Sequence, residues 1–535
     1  MKKTFCLLLL FAFIYVNMQA TNSMEMISTL TGDFDGAIFG WSIASLDFNG
    51  DGIKDLVVQE ANWNPTESYD GFQCYGRIYF YWGGNDFDNI PDFAISGSAD
   101  FILAGYECTV HNAGDINNDG IEDLALSCKM GSYYKLLIYY GRPQPIDIPD
   151  VVFELPTSTY GPYRIRPLGD INADGYDDIG FRTGTYSHHR IIKIILGGSF
   201  QTYDLYDLLY YDDSIMISGI GDVNGDGISD YHIKKPLYST GLSQNILSVH
   251  FGSSNFPVLD SVVICPNTNS YIQDYGAAIG DVNGDGIGDF ISYIYSEAKV
   301  WFGGPNLTTQ WDTVLTESVY TEVGEIVSYG DFNNDGYDDI VGSGPGYGWD
   351  RGISRIWLGG YNFNGTLDLV IPSPTADLQR FGFARATGDF NNDGYCDIAI
   401  SQPYDVGGIL LTPGRVYVFA GNPQLLDTTY ANDDNTIPVP ANSLWEINIY
   451  PNPLPKNKVN LNINFLGEGY QKTTANLKAV LYNIKGQKIE SFNIAREDIQ
   501  NRNWSGVIKN CPAGNYLIAI KDKNTNLITK QIIIK

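Results

Sequence analysis

The chain has 535 residues, of which 44% are hydrophobic and 18% charged, enough apolar material for packed cores and too little charge for global disorder. A formal charge of −29 repels nucleic acid and anionic membrane surfaces and attracts cations. The 58 glycines and 37 tyrosines suit a turn-rich all-β protein, and the length suggests more than one domain.

In chain order, residues 1–20 read as a signal peptide. Lys2 and Lys3 form its basic end, Phe5 through Val16 its apolar run, and Ala20 a small residue at the expected cleavage point. A short membrane anchor is the alternative, but the run is short for a bilayer span. Cys6 lies in that run without a lipobox-like sequence before it. No later segment is long and apolar enough to cross a membrane. The mature chain is therefore expected to lack a transmembrane segment and to be extracellular or on the outer cell surface.

Six cysteines follow: Cys74, Cys108, Cys128, Cys265, Cys396 and Cys511. No CxxC pair occurs, which argues against a zinc site. Cys108 and Cys128 flank one acidic loop and are either paired across a hairpin or buried as free thiols.

The segment "DFNGDGIKDL" at 47 recurs six times: "DINNDGIEDL" at 115, "DINADGYDDI" at 170, "DVNGDGISDY" at 222, "DVNGDGIGDF" at 281, "DFNNDGYDDI" at 331 and "DFNNDGYCDI" at 389. Every copy keeps Asp, Asn, Asp, Gly and Asp at positions one, three, five, six and nine. Oxygen ligands at one, three, five and nine, with the carbonyl of seven, suit a hard cation of calcium size. Gly at six allows the positive φ that lets the ligands converge.

The candidate ligands are Asp47, Asn49, Asp51, Ile53 and Asp55 in the first copy; Asp115, Asn117, Asp119, Ile121 and Asp123 in the second; and Asp170, Asn172, Asp174, Tyr176 and Asp178 in the third. They continue as Asp222, Asn224, Asp226, Ile228 and Asp230, then Asp281, Asn283, Asp285, Ile287 and Asp289. The last two sets are Asp331, Asn333, Asp335, Tyr337 and Asp339, and Asp389, Asn391, Asp393, Tyr395 and Asp397. Up to seven Ca2+ are expected. The alternative is a set of Asx-rich turns without metal. Positions two, seven and ten are apolar and should anchor each loop to a core. Position eight varies freely and is expected to face water.

Each loop is followed by an apolar strand such as "DLVVQ" or "DIAIS", then by a strand ending in Gly such as "GRIYFYWGG" or "GRVYVFAG". A further strand follows, and another precedes the next loop. Four strands per repeat with no helical periodicity predict an all-β fold, a seven-bladed β-propeller over residues 24–425. The seventh repeat lacks its outer strand. "EMISTLTG" at 25–32 is expected to supply it and close the ring.

With the pairs Phe39-Gly40, Tyr160-Gly161, Tyr275-Gly276 and Phe381-Gly382 ahead of their loops, the repeats resemble FG-GAP repeats, which build the propeller at the head of integrin α chains and of many bacterial surface proteins. The resemblance implies calcium in each loop, held between the first two strands of a blade. "VGSGP" at 341–345 is close to the second half of that motif, whereas "VVQEAN" and "HIKKPL" are not. Integrin-like ligand recognition is therefore not implied.

A linker is predicted at 426–442 and a small C-terminal β-sandwich at 443–535. This last unit carries 13 Lys and Arg against 6 Asp and Glu over residues 441–535, whereas residues 21–440 carry 18 against 56. "PNP" at 451–453, "KGQ" at 485–487 and "GNY" at 514–516 resemble the C-terminal sorting domain of the Bacteroidetes type IX secretion system. The resemblance implies a passage through that machinery, with cleavage or exchange for a surface anchor. An ordinary accessory β-domain is the alternative.

No catalytic motif is found: no GxSxG, HExxH or P-loop. His111 and His232 lie on strands and read as structural. His188 and His189 form the one concentrated pair, without an acidic or Cys partner beside it. A carboxylate pair for glycoside cleavage is set by space rather than spacing and would not be visible here. Trp63, Tyr69, Tyr186, Tyr347, Trp349 and Tyr404 lie in loops between second and third strands, and by family analogy share the face opposite the calcium loops. The expected function is a calcium-binding adhesion module for a protein or glycan ligand. The alternatives are a secreted polysaccharide-active lyase or hydrolase on the same scaffold, and a surface component without a discrete ligand.

Overall fold

The computed structural model describes residues 23–65, 74–104, 108–130, 133–154, 159–185, 189–209, 215–237, 244–257, 260–268, 272–294, 297–316, 327–345, 352–375, 380–403, 412–425, 446–450, 459–466, 477–483, 488–501, 503–508, 514–522 and 525–534. The signal segment, the linker, His188, Cys511, Tyr69, Tyr186, Tyr347, Trp349 and Tyr404 lie outside these residues. The chain divides into two compact units, Met1–Asp427 and Thr428–Lys535.

The first unit opens with β1 (Glu25–Thr31) and then forms its first sheet from β2 (Phe39–Leu46), β3 (Asp55–Glu60), β4 (Arg77–Tyr81) and β5 (Phe93–Ser96). The second sheet holds β6 (Val110–Gly114), β7 (Asp123–Met130), β8 (Tyr133–Tyr139) and β9 (Val151–Glu154). The third holds β10 (Thr159–Gly169), β11 (Asp178–Thr185), β12 (His189–Ile195) and β13 (Thr202–Leu209). The fourth holds β14 (Met216–Gly221), β15 (Asp230–Leu237), β16 (Gln244–His250) and β17 (Ser261–Thr268). The fifth holds β18 (Ile272–Gly280), β19 (Asp289–Ile294), β20 (Glu297–Trp301) and β21 (Thr313–Val314). The sixth holds β22 (Val327–Gly330), β23 (Asp339–Gly344), β24 (Ile353–Trp357) and β25 (Leu369–Pro372).

The seventh sheet runs β26 (Arg385–Gly388), β27 (Asp397–Gln402), β28 (Arg415–Ala420) and then β1, so the fourth strand comes from the other end of the unit. Leu30 sits opposite Val416 and Thr31 opposite Arg415 in this antiparallel pairing. The edge that β28 would otherwise expose is thereby covered.

The order of contacts is cyclic. The first strand of each sheet packs on the first strand of the next, and β26 returns to β2. Seven apolar cores follow, each built from the facing surfaces of two successive sheets. One of them joins Leu30, Val416 and Val418 of the seventh sheet to Phe39, Leu56 and Tyr79 of the first. The second strands have a neighbour sheet on both faces, so every residue of β3, β19, β23 and β27 is buried. Outer strands alternate instead, as β25 does. Each Val, Leu, Ile or Phe so buried contributes about 1.5–3 kcal/mol relative to exposure. This is a β-propeller.

The second unit has β29 (Glu446–Tyr450), β30 (Val459–Leu466) and β33 (Asn503–Ile508) in one sheet. Its other sheet runs β32 (Lys488–Ile494), β31 (Leu477–Asn483), β34 (Gly514–Asp522) and β35 (Thr525–Ile534). A single turn of helix, α1 (Arg496–Gln500), precedes β33. Ile463, Leu477, Leu481, Ile494, Ile499 and Ile518 are buried here.

Cys128 is a buried free thiol, so the alternative of a Cys108–Cys128 crosslink does not hold. The Cys108 Sγ donates to the Ile102 carbonyl at 3.5 Å, and burial pushes the Cys128 thiol up to about 12.

Candidate metal centre

The seven acidic loops each join the first strand of a sheet to the second, and they share one hydrogen-bond plan. In the first, Asp47 Oδ1 accepts from Gly50 N at 2.8 Å and Asp51 N at 3.1 Å, and its Oδ2 accepts from Gly52 N at 2.9 Å. Asn49 Oδ1 accepts from Asp51 N at 2.9 Å, while its Nδ2 donates to Asp51 Oδ2 at 3.1 Å. Asp51 Oδ1 accepts from Ile53 N at 2.9 Å. The amide of the position-six glycine reaches the first Asp in all seven loops, at 2.7–2.9 Å. Those glycines have φ between 87° and 93°, which explains their identity.

Position four is left-handed as well, a feature the spacing argument did not identify. Gly50, Gly225 and Gly284 occupy it in three loops and Asn118, Asn334 and Asn392 in three others, all with positive φ. The third loop has Ala173 there, at φ 59°. A Cβ in this region costs about 1–2 kcal/mol. Ala173→Gly should therefore raise stability by about 1 kcal/mol, read from the urea midpoint at constant slope. An unchanged or lower midpoint would contradict the assigned strain.

Position nine behaves differently from the other ligand positions. Asp55, Asp123, Asp178, Asp230, Asp289, Asp339 and Asp397 are fully buried. Each Oδ2 accepts from the amide of position two at 2.8–3.0 Å. Each Oδ1 accepts from a glycine amide just past the third strand: Gly83, Gly141, Gly197, Gly252, Gly303, Gly359 or Gly421, at 2.7–3.0 Å. A Cβ at Gly141 would lie 2.3 Å from the Glu122 carbonyl, and one at Gly421 2.3 Å from that of Cys396. This close approach explains why the third strands end in glycine. In the sequence these glycines show only as strand ends, without a sign of this role.

Burial raises these seven carboxylates, and the backbone amides only partly offset it. Asp55, Asp178, Asp230 and Asp397 are pushed up to about 7, Asp123 and Asp289 to about 8, and Asp339 well above the usual range. No Lys or Arg is among the largest influences on any of them.

Neighbouring loops are tied to one another. The position-two carbonyl of each loop accepts an amide from the end of the next sheet's third strand, as Arg142 N to Phe48 O at 2.7 Å and Gly198 N to Ile116 O at 2.9 Å. The seventh such bond, Gly84 N to Phe390 O at 2.9 Å, closes the circuit.

Position eight joins this belt, which corrects the expectation that it faces water. Its amide donates to the position-one carbonyl of the preceding loop in five places, from Asp177, Ser229, Gly288, Asp338 and Cys396 at 3.1–3.2 Å. Where the residue is acidic, the side chain reaches back too. Glu122 Oε2 accepts from Asp47 N at 2.6 Å, Asp177 Oδ2 from Asp115 N at 2.9 Å, and Asp338 Oδ2 from Asp281 N at 2.9 Å. Lys54, at the same position of the first loop, pairs with Glu122 at 2.6 Å. A position whose backbone makes the contact is free to change its side chain.

Among the described residues, no three His, Cys, Asp or Glu side chains gather closely enough to hold an ion by themselves. The loop carboxylates are held by amides instead. The donor set is nonetheless all oxygen and mostly anionic, the chemistry a hard divalent cation takes. The burial of seven further carboxylates points the same way. On chemistry, then, the residues fit calcium. Asp, Asn and Asp at one, three and five with the carbonyl of seven would hold it, and Asp at nine would complete the oxygen set.

Outside the loops, His111 Nε2 lies 2.9 Å from Thr109 Oγ1, and burial lowers the ring to about 3. His232 Nδ1 lies 3.3 Å from the Ser218 carbonyl, and burial lowers it to about 4. Both are strand residues, His232 buried and His111 half-buried, and both are neutral at ordinary pH. Trp63 is buried under the Arg77 guanidinium, 3.7 Å above its ring, so it offers no exposed aromatic surface.

Comparison with known proteins agrees with this architecture. Residues 39–71 match the FG-GAP repeat family, and residues 448–535 match the secretion system C-terminal sorting domain. The chain is 31% identical to integrin alpha-4 of Xenopus laevis over 180 residues, which cover 31% of this chain and 16% of the relative. It is 27% identical to human integrin alpha-6 over 151 residues, 27% of this chain and 13% of the relative. Integrin alpha-5 of Xenopus laevis matches at 26% over 137 residues, 25% of this chain and 13% of the relative. The chain thus spans under a fifth of the length of these relatives. No helix among the described residues is long and apolar enough to cross a membrane. The protein is a β-propeller that carries an FG-GAP repeat match and is similar to integrin α chains, and its residues 448–535 match the secretion system C-terminal sorting domain.

Proposed function

We propose that this is a calcium-braced binding module, exported by a signal peptide at residues 1–20 and delivered by the type IX machinery to the cell surface or the medium. The propeller occupies residues 24–425, a linker 426–442 and the sorting domain 443–535. Calcium is structural, with up to seven ions pinning the loops and supplying up to fourteen positive charges against the acidic propeller. A protein or glycan ligand binds the face opposite the loops. The observation that carries this reading is the belt itself. One oxygen-rich loop, repeated in every sheet and hydrogen-bonded to the next, suits a brace better than a reaction centre.

The test is an array of glycans and extracellular proteins probed with the full chain in calcium and again in excess chelator. The reading expects a specific retained ligand whose binding weakens at least tenfold on chelation. Depolymerisation of a polysaccharide on the array, in place of retention, would move the assignment to a lyase or hydrolase.

A further inference from the structure

The ring has one seam, where residues 32–38 carry the chain from β1 in the seventh sheet to β2 in the first. Backbone bonds hold that crossing to the 412–414 turn, Gly32 N to Gly414 O at 3.2 Å and Gly36 N to Thr412 O at 2.9 Å. A side-chain cluster holds it to the first sheet. Asp33 N donates to Glu60 Oε1 at 2.8 Å. The Tyr79 hydroxyl lies 2.6 Å from Asp33 Oδ2 and 3.0 Å from Glu60 Oε2. Arg77 Nη1 donates to the same hydroxyl at 3.3 Å and lies 3.6 Å from Asp33 Oδ2.

Counting protons decides the state of this cluster. The tyrosine hydroxyl carries one proton and two acceptor sites. Its proton goes to Asp33, the shorter contact. The contact with Glu60 then needs a proton from the Glu60 carboxyl, since two oxygens cannot share a hydrogen bond without one. With Glu60 protonated, the hydroxyl donates to Asp33 and accepts from Glu60 and Arg77, and every group is satisfied. With Glu60 ionised, two carboxylates face a single hydroxyl proton.

We propose that Asp33, Tyr79 and Glu60 form a proton-keyed clasp on the seam, holding β1 in the seventh sheet while Glu60 carries its proton and loosening it when that proton passes to solvent. Glu60 is fully buried, and the backbone around it leaves no slack. A Cβ at Gly32 would lie 2.8 Å from Glu60 Oε1 and 2.7 Å from the Phe39 Cβ. The titratable groups acting on Glu60 are Asp33 from the crossing and Arg77, Tyr79 and Tyr81 from β4. β2 and the 412–414 turn carry no titratable side chain, and the one on β1, Glu25, stands at its far end, opposite Ala420. Burial, with the Asp33 charge behind it, pushes Glu60 up to about 8. A raised carboxyl stabilises fully below its unfolded value, 4.5 here, and that stability is lost as pH rises through about 8.

Hydrogen exchange of the full chain in excess calcium tests the clasp, comparing peptides covering β1 with peptides covering β23. After correction for intrinsic exchange, wild-type β1 should lose about tenfold in protection between pH 6 and pH 9, with β23 unchanged. Glu60→Gln supplies a permanent N–H donor to Tyr79 and should keep β1 protected at both pH values. Tyr79→Phe should show at pH 6 the exposure that wild type reaches at pH 9. Equal losses in wild type and Glu60→Gln would overturn the proposal. So would a wild-type β1 indifferent to pH, or a Tyr79→Phe protein that behaves as wild type should Glu60→Gln not fold.

Discussion

Removing calcium should lower the melting temperature by well over ~10 °C, the largest effect expected for this protein. A site at a hundred times its dissociation constant adds about 2.7 kcal/mol. For a domain of 150–250 residues each kcal/mol shifts the midpoint by about 2–4 °C, somewhat less for a larger one. Several filled loops acting together therefore move it far. The pH dependence supplies a second, sharper signature. Without the ion, the position-nine carboxylates have folded values raised to about 7 or 8 from 3.8. Their contribution is full below 3.8 and is lost as pH rises through 7 to 8. A bound cation favours the ionised form, so calcium binds better as these protons leave. Melting temperature should fall from pH 5 to pH 8 in chelator and rise over the same window in calcium. An unchanged curve on chelation, in a sample shown beforehand to hold calcium, would remove the mechanical role.

Asp123→Ala should cost about 3–5 kcal/mol even in chelator. The substitution leaves the amides of Ile116 and Gly141, now bonded at 3.0 and 2.9 Å, buried without an acceptor. An unsatisfied buried group costs about 1–3 kcal/mol, and the vacated space adds to it. Asp119→Ala makes the contrast. Asp119 is exposed, so in chelator its loss should cost well under half as much, while the stabilisation by calcium shrinks. Urea melts of both variants, with and without the ion, separate the stitch from the ligand. Equal losses in chelator would mean that position nine has no structural role beyond that of position five.

Much of the fold was legible because it repeats. Seven copies of one loop fixed the number of sheets, and the stranded seventh repeat pointed to residues 25–32 for its missing strand. What stayed hidden was anything carried by backbone or by distance in sequence. Position eight varies from Lys54 to Glu122 to Cys396, so it read as solvent-facing, yet its amide makes the contact. Position nine read as one more ligand, because a carboxylate gripped by two amides has the same letter as one gripping an ion. Ala173 was hidden by the Gly-or-Asn pattern it breaks. The Asp33–Tyr79–Glu60 cluster joins residues up to 46 positions apart with no motif, and only the fold brings them together. Trp63 was assigned to an exposed face by family analogy alone; Arg77 on the adjacent strand covers it.

The pairing of β1 with β28 has a mechanical consequence. Beyond Leu425 the chain continues towards the sorting unit, so tension applied from that side reaches the propeller through β28. That strand is not a border of its sheet. It lies between β27 and β1, antiparallel to both. A pull along it loads two rows of hydrogen bonds in shear, many at once, rather than peeling them singly. The attachment point is therefore the strand best placed to bear load.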